Sequence, residues 1–347
     1  MGCLGSIWDS KPRKILFLVV FLLGLYLSDV ISDLSLAVQY HNSGDSTWFG
    51  LTLGFVLGPS IIINLFSGII LTLNDKDNTG IMYLKCLLGV LQLGVVAEYL
   101  NILCLLVKGK DLGDKLSLWL PITQLLEAYL ESVPQLCLQL YIILSTGEQV
   151  SDLKVISMVI SLLAAVKAVV TLWYNSIEEE HRTFRCSLVT VFTLLAMWKA
   201  VELSARVLAV ALFASAFKPW IALLIGLHWL EMTGIYDWVD DDHRGRVGLM
   251  FASLVMAVDT FSMVFSTEYK WTFWLNTVLT LLGNITMVTV WYTLKTGQHW
   301  YDIPALVGVV VGSLVSAGLG FIEMVFRGKI KSPFTYCCKK STIVPMD

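Results

Sequence analysis

Ten apolar segments follow one another along the chain, at roughly 15–40, 47–73, 81–107, 116–144, 153–175, 187–213, 218–238, 247–268, 272–294 and 302–326. Most reach the ~20 residues that a helix needs to cross a bilayer. With 56% hydrophobic residues, 15% charged ones and a mean hydropathy of +0.73, the 347-residue chain lies far from a soluble composition. An all-α polytopic membrane protein is therefore predicted, because in lipid a helix satisfies its backbone polar groups internally.

Lysine and arginine set the orientation, since short loops that carry them stay cytoplasmic. Lys11, Arg13 and Lys14 place the N-terminus inside, and Arg327, Lys329, Lys331, Lys339 and Lys340 do the same for the C-terminus. If all ten segments crossed, KGKDLGDK at 108–115 would lie outside with three lysines. Reading 81–107 and 247–268 as re-entrant removes the conflict. Of the 24 Lys and Arg, only Lys154, Lys218 and Lys295 then fall outside, with Lys85, Lys167, Lys199 and Arg206 within segments. The expectation is about eight transmembrane helices plus two re-entrant ones in two pseudo-repeated lobes, 15–180 and 181–326. A cytoplasmic N-terminus at 1–14 and a tail at 327–347 flank them; a plain ten-span bundle is the alternative.

Several familiar classes lack support. No GxxxxGK[ST], HExxH or nucleophile elbow is present, and the five histidines are scattered, so neither an enzyme nor a metal or cofactor is expected. The net charge of -3 and the ordinary cytoplasmic placement of the basic residues give no sign of a nucleic-acid partner. Seven cysteines imply no disulfide framework. MGCLGS makes Gly2 and Cys3 lipidation candidates, and TYCCKK does so for Cys337 and Cys338.

Polar residues inside the apolar segments carry the chemistry. Asp29 and Asp33 lie four residues apart in the first segment, Glu98 sits in LGVVAEYLNIL, and Gln124, Glu127, Glu131, Gln135 and Gln139 step along one helical face. Lys199, Glu202 and Arg206 draw a second stripe of alternating sign; Lys167, Glu231, Asp259 and Glu323 add to the set. A charge at the bilayer centre costs on the order of 2.5–3.5 kcal/mol on insertion scales, so such residues face a partner, a cavity or water. Interhelical packing is the structural alternative for any one of them; together they predict a shared polar pathway. Pro59 and Pro134 are expected to kink their helices, and Gly50, Gly54 and Gly58 to mark close helix packing.

Two stretches carry a family resemblance. SDLSLAVQYHNSGDSTWFGLTLGFVLGPSIIINLFS at 32–67 and LLEAYLESVPQLCLQLYIIL at 125–144, the latter with its E-x-x-L-E-S-x-P-Q-L element, resemble the XK-related protein family. After residue 180 the likeness is weaker, while the number of segments continues to agree. The resemblance implies eight spans and two re-entrant helices. It also implies phospholipid scrambling without ATP, exposing phosphatidylserine at the plasma membrane of dying cells, with Asp29, Asp33, Glu127 and Glu131 lining a hydrophilic route. Apoptotic members are switched on by caspase removal of a C-terminal tail, which makes Asp347 a cleavage candidate here. Membrane phospholipids, a caspase, and a single-span accessory subunit or a lipid-transfer protein are the partners to expect. A transporter or channel, or a membrane adaptor for a lipid-transfer protein, are the rival functions.

Overall fold

In the computed structural model of the chain, the described residues are 10–74, 80, 83, 87, 91, 93–108, 120–147, 150–180, 185–218, 220, 223, 225–230, 261 and 270–327. They form helices and no strand. In chain order these are α1 (Ser10–Asn42), α2 (Ser46–Asn74), α3 (Gly94–Val107), α4 (Leu120–Glu127), a π-helical turn (Ala128–Ser132), α5 (Val133–Thr146), α6 (Asp152–Glu180), α7 (Arg185–Phe217), α8 (Lys270–Leu294) and α9 (Asp302–Arg327). Six stretches are long and apolar enough to cross a membrane: Val19–Asn42, Ser46–Ile63, Asp152–Trp173, Thr190–Phe217, Phe273–Leu294 and Asp302–Met324. The chain is an all-α polytopic membrane protein. Most of 247–268 and of the first half of 81–107, both read as re-entrant, falls outside the described residues. The described second half, α3, has 14 residues and is about 21 Å long, short of the ~30 Å apolar core.

Burial on α1 is inverted relative to a soluble helix. Phe17, Val20, Phe21, Leu27, Ile31, Leu34 and Val38 are exposed, while Asp29 and Asp33 are buried beside Val30 and Leu36. Both sets recur every three or four residues, so one apolar face is left for lipid tails and one mixed face for protein. The turn into α2 is tight: Gly44 takes φ +81, and the amide of Asp45 donates to the Tyr40 carbonyl at 2.9 Å. A side chain at Gly44 would strain that left-handed residue.

Two compact units divide the chain, Met1–Glu127 and Ala128–Asp347. That grouping is one of helix packing; the lobes 15–180 and 181–326 are units of membrane topology and stay a proposal. In the first unit, α1 packs on α2 and α3, and α2 on α4. Val19, Leu22, Tyr26 and Val30 of α1 enclose Tyr99 and Ile102 of α3. In the second unit α7 is central, with α5, α6, α8 and α9 all packed against it. Ala209, Val210, Leu212 and Phe213 of α7 meet Met287, Val288 and Trp291 of α8 and Ala305 and Val309 of α9 in one apolar cluster.

The glycine ladder that packs closely is on α9. A Cβ built at Gly312 would stand 3.2 Å from Cβ of Ala205, and one at Gly320 only 2.8 Å from Cε2 of Trp198. Gly308 faces Leu208 in the same antiparallel register, so α9 lies close along α7. On α2, by contrast, nothing among the described residues comes within 4 Å of a Cβ at Gly50, Gly54 or Gly58. Small residues permit close approach, but a neighbouring helix has to be there to make it.

The prolines act differently from one another. Pro59 lies within α2, which continues through it as a single helix. Pro134 stands at the start of α5, directly after the π turn. Its ring cannot fit against the carbonyl four residues back, and the wider π turn takes up that conflict. At the far end of α5 the chain leaves through Gly147 at φ +64, whose amide donates to the Ile143 carbonyl at 3.2 Å.

Candidate functional site: a buried polar set in apolar helices

The first unit holds Asp29, Asp33, Gln124 and Glu127, each 6% exposed or less. Asp29 and Asp33 lie in the middle of the Val19–Asn42 span, where burial against protein is the alternative to facing hydrocarbon. Ser32 between them bonds its hydroxyl back to the Asp29 carbonyl at 2.9 Å, so its own polarity is satisfied within the helix. Gln124 on α4 donates from Nε2 to the Tyr99 hydroxyl on α3 at 2.5 Å. Tyr99 is fully buried, and Glu127 stands within electrostatic reach of it. Glu98, the residue before Tyr99, belongs to α3; its side chain lies outside the described residues.

In the second unit, Glu131 of the π turn and Gln135 and Gln139 of α5 are also buried. Gln135 has no exposure, and neither atom of its amide meets a hydrogen-bond partner among the described residues. A buried amide without partners costs about 1–3 kcal/mol.

The α7 stripe resolves into two arrangements. Lys199 donates to Oε2 of Glu202 at 2.8 Å, one turn along the same helix, and its Nζ sits 3.7 Å from the centre of the Trp198 ring. Arg206 donates from Nη1 to Oδ1 of Asn284 on α8 at 2.9 Å, and Asn284 passes the chain on from Nδ2 to the Ser313 hydroxyl of α9 at 3.1 Å. All five of these polar residues are buried, at 6% exposure or less. Three apolar helices are thereby joined by one polar relay. A cavity of about 20 Å³ opens beside it, lined by Glu202, Thr277, Thr280, Asn284, Ser313 and Ser316 among others.

The sequence stripes thus occupy buried positions; Lys199 bonds Glu202 on α7 itself and Arg206 bonds Asn284 on α8. Tyr99, Asn284 and Ser313 escaped the sequence reading. The signal for Asn284 was present, a lone amide in the apolar run LLGNITMV; a count of charges passes over it. The candidates Gly2, Cys3, Cys337, Cys338 and Asp347 lie outside the described residues, as do Glu231 and Asp259.

Comparison with known proteins adds the lineage. XK-related protein 8 of Tetraodon nigroviridis is 26% identical over 259 residues, covering 69% of this chain and 62% of its own length. The chain thus spans less than two thirds of that relative. Proteins named endoplasmic reticulum membrane adapter protein XK, from Pan troglodytes and Rattus norvegicus, are each 20% identical over 91% of this chain and 82% of their own length. The model of the XK-related protein family matches residues 17–326, nearly the whole helical part, and the chain belongs to that family.

Proposed function

We propose that the chain is a phospholipid scramblase, which lets lipids such as phosphatidylserine exchange between plasma-membrane leaflets without ATP. One observation carries the reading: Asp29, Asp33, Glu127, Glu131, Lys199, Glu202 and Arg206 all lie on apolar helices and are all 6% exposed or less. Burying so many ionisable groups in a membrane protein is costly, and such residues commonly mark substrate pathways. A polar interior is what a lipid headgroup needs to leave the water while its tails stay in hydrocarbon. In this reading both termini are cytoplasmic, and a caspase acting at Asp347 and a single-span accessory subunit are candidate partners.

The test is reconstitution of the chain alone in liposomes with a fluorescent phospholipid, followed by dithionite. Bleaching is expected to pass well beyond the outer-leaflet fraction, and Glu127→Gln/Glu131→Gln to change its rate. Bleaching that stops at the outer leaflet would sink the reading for this form of the chain. A second reading, a membrane adaptor, draws support from the relatives named adapter proteins, which align with 91% of the chain. For an adaptor, substituting the buried acids spares activity, and changing the cytoplasmic surface abolishes it.

A further inference from the structure

The cavity between α7, α8 and α9 sits at mid-depth. Asn284 is the twelfth of 22 residues in the Phe273–Leu294 span, and Ser313 the twelfth of 23 in Asp302–Met324. Glu202 lies equally near the middle of Thr190–Phe217. A polar void at this level is at the costliest place in the bilayer for polar groups, so what fills it matters more than it would near an end.

The lining decides between occupants. A metal cation would need the oxygens that positive groups already hold: Lys199 is on Glu202 and Arg206 is on Asn284 Oδ1. An anion would meet the Glu202 carboxylate, and at about 20 Å³ the space is too small for a lipid headgroup. A small neutral molecule that both donates and accepts suits the hydroxyls. Thr280 gives its hydrogen back to Asn276 Oδ1 at 3.2 Å and keeps an acceptor lone pair; Ser313 accepts from Asn284 and keeps a hydrogen to give. A void holds water when it offers more than ~10–15 Å³ and two to four polar partners, and this one meets both conditions.

We propose that this cavity is a mid-membrane hydration site, holding on the order of one or two water molecules between Glu202, Thr280, Ser313 and Ser316. The water closes the polar relay of α7, α8 and α9. The site stands on the cavity and its lining alone, whether or not the protein moves lipid.

The experiment is X-ray hydroxyl-radical footprinting of the full chain in lipid nanodiscs, read residue by residue by mass spectrometry. Radicals formed from a bound water mark the side chains beside it. Leu281 lines the cavity, whereas Leu282 and Leu314 are lipid-facing controls at 56% and 54% exposure. Leu281 is expected to be labelled several-fold more than either control, and Ser313→Ala/Ser316→Ala to bring it down to their level. Labelling of Leu281 no greater than the controls in the native chain overturns the proposal without reference to any variant. Labelling that persists unchanged in a double variant with a native unfolding midpoint overturns the assignment to these serines.

Discussion

Helices α2 and α9 carry the same kind of ladder, small residues every four positions, yet among the described residues one meets no neighbour and the other packs against α7. The α2 ladder at Gly50, Gly54 and Gly58 reads more cleanly in the sequence, being glycine throughout. The α9 ladder runs Gly308, Gly312, Ser316 and Gly320, with a hydroxyl in its middle. What separates them is the partner: α7 offers Leu208, Ala205 and the broad face of Trp198 in register with α9. A glycine ladder states how near a backbone can come, and the opposing surface decides whether it does.

Three substitutions measure that difference by thermal unfolding midpoints of the purified protein. The largest effect is expected at Gly320→Ala, where the new methyl would press on the Trp198 ring, held in turn by Phe273 at a centroid distance of 6.0 Å. Overpacking of this kind costs about 1–3 kcal/mol, and the midpoint should fall clearly. Gly312→Ala comes next: at 3.2 Å from Ala205 the helices need to part by only a few tenths of an ångström. The gain in helix propensity of about 0.5–1 kcal/mol offsets part of that strain, leaving a small fall. Gly54→Ala meets nothing within 4 Å among the described residues, so propensity acts alone there and the midpoint should hold or rise slightly. The reverse order, with Gly54→Ala the most damaging, would show that α2 rather than α9 makes the tight contact.

Much of the architecture was legible because lipid imposes a simple rule on length and polarity. The apolar runs from Thr190, Phe273 and Asp302 announce themselves, and the spacing of Asp29 and Asp33 predicts the shared buried face that the structure shows. The π turn was beyond reach, since it adds width within a helix without altering its composition; Pro134 was the one cue. The relay was hidden for another reason. Arg206 and Asn284 are 78 positions apart, and nothing local in either segment names the other. Local periodicity tells which face of a helix is polar, while the pairing of faces depends on how the helices assemble.

The pairing of Lys199 with Glu202, one turn apart beneath Trp198, bears on how the protein is made. α7 leaves the ribosome before α8 and α9, and on entering the bilayer it has no later helix to lean on. A lysine already answered by its own helix arrives as a neutral pair and enters at lower cost than two separate charges. The bond from Arg206 to Asn284 spans 78 positions and forms only once α8 has been synthesised. Biogenesis of this half is therefore expected in two stages, with α7 threaded first and the bond from Arg206 to Asn284 made when α8 comes alongside.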